Sequence, residues 1–323
     1  MTDPRPNSPC LVALDQVRPV DVRWLWKDRV PKGALTMLVG VPGCGKSFLA
    51  LDLAARLSNG VNWPDAMPNG RTGKTLLLMA EDALDATIAP RLDASGADRS
   101  MVVAMRGVNR YHNGKIVEAG FTLIDIDVLE RAIEEVGGID LMVIDPVNDY
   151  LGPRTNGNDD IQIRSVLQPL GRLAHRHDFA CVCIHHSRKG DAIHADDVLL
   201  GARAYSGLAR AIWHVMHDPD DQDRRLLLAG KMNIAKPSPG MAFTIGGDPG
   251  VVQWALDLVT ETASEVMRRT RETPRESPAL DEAIEFIESM LADGPKPQKR
   301  IEAAAEERGI SIKTMRRAKK SLG

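Results

Sequence analysis

"GVPGCGKS", residues 40–47, stands between the apolar run "ALTMLV" and "FLALDLAARLS", whose apolar residues recur at helical spacing. It fits the pattern G-x-x-x-x-G-K-[ST], in which glycines let a loop curl until its backbone N–H groups face one anion. A strand entering and a helix leaving set that anion at a helix N-terminus, where unpaired N–H groups and the macrodipole favour negative charge. Lys46 is then placed to reach the β and γ phosphates of a nucleotide, and Ser47 to hold Mg2+. The expected cradle runs through Gly40, Val41, Pro42, Gly43, Cys44, Gly45, Lys46, Ser47 and Phe48. No N-K-x-D segment is present to read guanine, so the nucleotide is expected to be ATP.

Outward from this loop, short apolar runs alternate with helical stripes. "TLLLMA" (75–80) leads to a helix beginning near Ala83, and "SMVVAM" (100–105) reads as a strand. Leu129, Ala132, Ile133 and Val136 form one apolar helical stripe before "IDLMVID" (139–145). Ile163, Val166, Leu167, Leu170 and Leu173 form another before "FACVCIH" (179–185). Runs without alternation suit the centre of a sheet covered on both faces, so the pattern predicts an α/β core with a mainly parallel central sheet flanked by helices. Beyond it "AIWHVMHDPDDQDRRLLLAGK" (211–231), "MAFTI" (241–245) and "VVQWAL" (251–256) read as an antiparallel tail.

Two acids fall where a phosphate site needs them. "LMVIDPVNDYLG" (141–152) is apolar up to Asp145, which is expected to coordinate magnesium, as a Walker B acid does. Pro146 occupies the position where a second acid would activate water. The base is therefore sought one strand away, at Glu81 in "LLLMAED" (76–82), while Asp82 is expected to cap the following helix. In "CIHHSRKG" (183–190) two adjacent histidines point to opposite faces of a strand, so one of them is expected to sense the γ-phosphate and the other to pack. Arg203 and Arg210 in "GARAYSGLARAIW" (201–213), and Lys231 at the end of "RLLLAGK", are candidates to project into a neighbouring subunit's nucleotide as an arginine finger does. Loops 152–160 and 187–201 follow consecutive central strands and carry Arg154, Arg188 and Lys189, candidates for contact with DNA phosphates.

With 323 residues, 43% of them hydrophobic, the chain can bury one full α/β core and still carry a small second unit. Its formal charge of −3 supplies no global drive toward nucleic acid, so DNA contact has to come from local patches. Cys181 and Cys183 are expected on opposite faces of their strand, as plain buried thiols in a reducing, cytoplasmic compartment. No stretch of 18 apolar residues is present, and no membrane role is expected. The segments are read as 1–28, an N-terminal stretch whose Trp24 and Trp26 pack on the domain edge, 29–260, the core, and 261–279, a charged linker. Residues 280–323 follow as a helical unit. In it Leu280, Ile284, Ile287 and Leu291 face inward, Gly309 stops the second helix, and Ser311 caps a third carrying Ile312 and Met315 inward, the outline of a helix-turn-helix. The last 15 residues hold Lys313, Arg316, Arg317, Lys319 and Lys320 and no acid.

In their order along the chain, "LWKDRVPKGALTMLVGVPGCGKS", "LLLMAED", "LMVIDPVNDYLG", "CIHHSRKG", "LARAIWHV", "RLLLAGKMNIAKP" and "GISIKTMRRAKKSLG" resemble the RecA-like ATPases of the RepA type. These are the hexameric replicative helicases of plasmids, with relatives in phages and mobile elements. The resemblance implies a RecA-like P-loop fold, ATP with Mg2+, Lys46 and Ser47 on phosphate and metal, Asp145 as the Walker B acid and Glu81 as the base. It favours His186 over His185 as the sensor, makes Arg210 the finger, and gives Lys231 a role across the subunit boundary. It further implies a homo-oligomeric ring, a hexamer, with single-stranded DNA in its pore. The leading expectation is an ATP-hydrolysing motor on DNA. An ATP-switched DNA-binding or loading factor is the alternative, and a small-molecule kinase, which would leave the C-terminal unit without a role, comes third.

Overall fold

The computed structural model describes residues 11–112, 114–153, 155–157, 159–187, 203–272, 278–291, 294 and 296–322. The chain divides into two compact units, Met1–Arg268 and Arg269–Gly323.

The first unit opens with a small antiparallel pair, β1 (Trp24–Trp26) and β2 (Val30–Pro31). Then come β3 (Ala34–Gly40), α1 (Lys46–Asn59), β4 (Thr75–Met79), α2 (Ala89–Ala94) and β5 (Val102–Ala104). A hairpin of β6 (Val108–His112) and β7 (Lys115–Ala119) leads to α3 (Ile126–Glu135), β8 (Leu141–Asp145), α4 (Asp160–His177) and β9 (Ala180–His186). After α5 (Arg203–Leu208), β10 (Ala211–His217), β11 (Arg225–Met232), β12 (Gly240–Gly246) and β13 (Val251–Val259) complete the sheet. Nine strands lie in the order β13-β12-β11-β10-β3-β9-β8-β4-β5. The pairs from β10 through β3, β9, β8 and β4 to β5 are parallel, and those from β10 to β13 antiparallel. The tail thus extends the same sheet, and its first strand, β10, runs parallel to β3.

Strand alternation sorts the apolar runs between two cores. Met37, Leu76, Met142 and Cys183 face α3 and α4, while Leu38, Leu77, Val143 and Val182 face α1 and α2. Cys181 and Cys183 are two residues apart and therefore share a face, against the expectation of opposite faces. Their sulfurs lie 3.8 Å apart as buried free thiols. Trp26 stacks on Trp63 at 5.7 Å between ring centroids and caps the edge near β13, where its Nε1 donates to Asp65. The helix expected from Ala83 begins instead with a wide π-helical turn, Leu84–Ile88, ahead of α2.

The expected linker is not structureless. Residues Ala263–Glu272 form α6, and Ala263 and Val266, one turn apart, are buried with Leu226, Leu228, Ala242 and Val259. In the second unit α7 (Pro278–Leu291), α8 (Gln298–Glu307) and α9 (Ile312–Leu322) enclose a core of Ala283, Phe286, Ile287, Ile301, Ala305, Ile310, Met315 and Ala318. The inward face of α7 is thus centred on Phe286, and Leu291 is 40% exposed. Ser311 Oγ accepts from Thr314 N at 3.2 Å, the expected cap, but Ile312 at the first position of α9 is 58% exposed and only Met315 turns inward. No described helix is long and apolar enough to cross a membrane.

Candidate functional site

Residues 41–45 form a loop between Gly40, the end of β3, and Lys46, the start of α1, at the carboxyl edge of the parallel strands, where open α/β sheets place ligands. Gly45, the residue before α1, has φ +98°, a left-handed conformation that glycine adopts without a Cβ clash. Gly40 has no room for a side chain, since an added Cβ would collide with the Val215 carbonyl oxygen and lie 2.7 Å from Cys44 Sγ. Cys44 is buried beneath the loop, and Pro42 and Gly43 are exposed on its rim.

Lys46 is buried, and its Nζ donates to the carbonyls of Gly40 at 2.9 Å and Val41 at 2.8 Å. Burial lowers its pKa, with Cys44, Asp145 and Glu81 acting against that shift. At the end of β8, Asp145 is almost wholly buried, and its Oδ1 has no hydrogen-bond partner. Desolvation raises its pKa, while a hydrogen bond from Ser47 and the charges of His186 and Lys46 oppose the rise. The register pairs Met79 with Asp145, and Ala80 N donates to Asp145 O at 3.0 Å, so Glu81 lies one strand away from the buried acid. His186 ends β9 with its Nε2 3.7 Å from Glu81 Oε2. Lys46, Ser47, Glu81, Asp145 and His186 are therefore gathered at one edge of four adjoining strands, β3, β9, β8 and β4. His185 points the other way, buried against Tyr205 at 4.6 Å between ring centroids.

These residues fit a magnesium–nucleotide complex. An orphaned, buried carboxylate oxygen beside a hydroxyl is the donor set of a hard cation, and a loop of N–H groups with a buried ammonium suits phosphate oxygens. Such an ion, when bound, would neutralise charge on the phosphates, with Ser47 and Asp145 as its protein ligands.

Arg210 and Lys231 lie elsewhere. Arg210 N donates to Leu35 O at 2.9 Å, and its own carbonyl accepts from Asn233 N at 3.0 Å. Leu35 is the second residue of β3 and Gly40 its last, roughly 16 Å apart at about 3.3 Å per residue. Lys231 Nζ donates to Ser206 O at 3.1 Å, at the same end of the sheet as Arg210. Within one chain the structure brings neither cation to the P-loop. The side chain of Arg203, and Arg154, Arg188 and Lys189, lie outside the described residues.

Asp82 makes no cap. It pairs instead with Arg91 at 3.2 Å, and the Arg91 guanidinium carbon lies 4.2 Å over the Phe48 ring. Arg225 is a neighbour of the loop that the sequence did not announce: its Cδ would lie 3.2 Å from a Cβ added at Gly45, and its Nε is buried without a hydrogen-bond partner. Among the described residues Glu130, Glu134 and His177 come close enough to share a cation. Glu130 Oε1 already accepts from Arg176 at 2.6 Å and lies 2.7 Å from His177 Nε2, so this cluster reads as an ion pair joining α3 to the end of α4.

No curated protein matches the chain. The family model described as an AAA domain matches residues 4–192, from before β1 through the P-loop, Glu81, Asp145 and His186. With more than half its length matched and a P-loop at the edge of a mainly parallel sheet, the chain belongs to the AAA domain family of P-loop ATPases.

Proposed function

We propose that this ATPase is a ring-forming motor on DNA, a helicase or translocase of the RepA type, in which each nucleotide site is completed by cations of the neighbouring subunit. The observation that carries the reading is the separation of Arg210 and Lys231 from their own P-loop while both occupy one end of the sheet. In this reading Lys46 exchanges two carbonyl acceptors for phosphate oxygens, the charge-assisted bonds being the stronger. Glu81, 62% exposed at the edge of the site, accepts the proton of the attacking water, and His186 beside it registers the state of the γ-phosphate.

Subunit mixing tests it. Lys46→Ala lacks its own phosphate clamp and Arg210→Ala lacks the donated cation, so each alone is inactive, and mixing them restores a fraction of wild-type turnover if the sites are shared. No recovery at any ratio would refute the shared site. Strand displacement on a forked duplex and turnover with and without single-stranded DNA test the DNA reading, with Glu81→Gln as the hydrolysis-deficient control.

A second reading, an ATP-switched DNA-binding or loading factor without unwinding, has its own support. α9 carries Arg316 exposed and no acid, in a three-helix arrangement whose α8–α9 turn contains Gly309, the outline of a helix-turn-helix. DNA-stimulated turnover without strand displacement would select it, and turnover indifferent to every nucleic acid would refute both readings.

A further inference from the structure

Tyr205, in α5, is fully buried, and its hydroxyl donates to Asn148 Oδ1 at 2.7 Å. Asn148 belongs to the turn Val147–Tyr150, which leaves β8 directly after Asp145–Pro146. The Tyr205 ring stacks on His185 at 4.6 Å and 26° between planes, and the next residue along that strand, His186, lies against Glu81. Beside it Ala204 N donates to Asp160 Oδ1 at the start of α4, which fixes the N-terminal end of α5. One tyrosine thus joins α5, the end of β9 and the turn that follows the buried acid.

The hydrogen bond has a clear direction. Burial raises the Tyr205 pKa, so the phenol stays a neutral donor, and the side-chain oxygen of Asn148 is the acceptor. Asn148 sits on an exposed turn, where an amide side chain has water as an alternative partner. A buried tyrosine hydroxyl has none, so the bond holds the turn to α5. Asp145 Oδ1 lies three residues upstream with no hydrogen-bond partner of its own, on the backbone that runs directly into the turn Asn148 holds.

We infer that Tyr205 is a positioning residue: through Asn148 it fixes the turn behind Asp145 and so sets the site's affinity for the divalent cation that accompanies the nucleotide. This rests on the reading of Asp145 as the metal-binding acid.

The test is Mn2+ binding to the full chain in the presence of saturating ADP, followed by the paramagnetic resonance of free Mn2+, alongside ATP turnover titrated with Mg2+. Tyr205→Phe keeps the ring stack and removes only the hydroxyl. Loss of one hydrogen bond is expected to weaken Mn2+ about three- to tenfold. Asn148→Ala is expected to do the same, and the double variant no more than either single one, because the two act through one bond. The Mg2+ titration shifts by the same factor, while turnover at saturating Mg2+ and the KM for ATP stay at wild-type values. A merely structural role would lower the melting temperature and the active fraction without moving either cation titration. Asn148 is exposed, so Asn148→Ala reports even if Tyr205→Phe folds poorly. Wild-type Mn2+ affinity in Asn148→Ala, with Asp145→Asn defective, would overturn the positioning role alone; wild-type affinity in Asp145→Asn would overturn the metal reading beneath it.

Discussion

Acidification should unfold this protein in part through one residue, His185. Burial against Tyr205, together with the nearby charges of His186 and Lys46, lowers its pKa from 6.5 to about 4. Protonation is therefore resisted in the folded chain and accepted in the unfolded one. Between about pH 6.5 and pH 4 the unfolded state binds more protons, so stability falls as the pH drops through that window. The contribution is intact above pH 6.5 and fully lost below about pH 4. A shift of this size corresponds to roughly 3 kcal/mol at its limit and about 2 kcal/mol by pH 5, at 1.36 kcal/mol per pKa unit. For a domain of this size that is a fall in Tm of about 4–8 °C.

The assay is urea unfolding at pH 7.5, 6.5, 5.5 and 5.0, followed by tryptophan fluorescence, for wild type and His185→Phe. Phenylalanine keeps a ring against Tyr205 and cannot take up a proton. Burial lowers the pKa of His217 as well, so the decisive quantity is the difference between the two proteins. That difference should change by about 2 kcal/mol from pH 7.5 to 5.0, in the direction that makes His185→Phe the less acid-sensitive protein. Parallel pH profiles would refute the argument, because they would mean that His185 takes up its proton without leaving the fold.

Two further outcomes follow from packing. Gly40→Ala drives a Cβ into the Val215 carbonyl and Cys44, parting β3 from β10, whereas Gly43, at φ +80°, has no atom within 4 Å of an added Cβ. Gly40→Ala should cost about 1–3 kcal/mol and most of the nucleotide affinity, and Gly43→Ala only the 1–2 kcal/mol of a left-handed residue; chemical unfolding and equilibrium binding of a fluorescent ATP analogue separate them. Phe286→Ala empties the centre of the three-helix core and should cost about 3–5 kcal/mol, enough to abolish amide protection across 278–322 in hydrogen exchange while protection in β3, β8 and β9 stays as in wild type.

The parts of the fold that sequence reading reached are those where one periodicity holds over a whole element. β3, β4, β8 and β9 read as unbroken apolar runs because both faces of the sheet are covered, and Ile163, Val166, Leu167, Leu170 and Leu173 mark the buried face of α4. Where the pattern was short or depended on distant partners, it misled. Ala263 and Val266 are two apolar residues in a charged stretch, too few to announce a helix that packs beneath β11 and β12. The hairpin β6–β7 has mostly exposed residues and so no apolar stripe, although Asn113-Gly114 carries the turn signal that would have marked it. In the site, Lys46, Ser47, Glu81 and Asp145 are legible because each stands at a strand end or loop with a fixed chemical pattern. Arg225 is not: it is separated from Gly45 by 180 positions, and only the order β3-β10-β11-β12 brings it to the loop.

Pro146 after Asp145 makes physical sense once the two acids are compared. Asp145 is 4% exposed, and burial already pushes its pKa up; the negative charge of Glu81 pushes it further in the same direction. A second carboxylate at position 146 would lie next to it in the chain, in surroundings of low dielectric constant, and would make ionisation of either acid harder still. Glu81 is instead carried by the neighbouring strand and stands 62% exposed, beside a histidine. The arrangement keeps one acid dry and the other wet, which suits the proposed division of labour, with Asp145 holding the cation and Glu81 taking a proton from water. Proline contributes no backbone N–H at that point, so the segment after Asp145 is held by other bonds: Asp149 N to Pro146 O, and the Tyr205 hydroxyl to Asn148 Oδ1. The residue that removes one candidate base thus also hands control of the buried acid to the turn behind it.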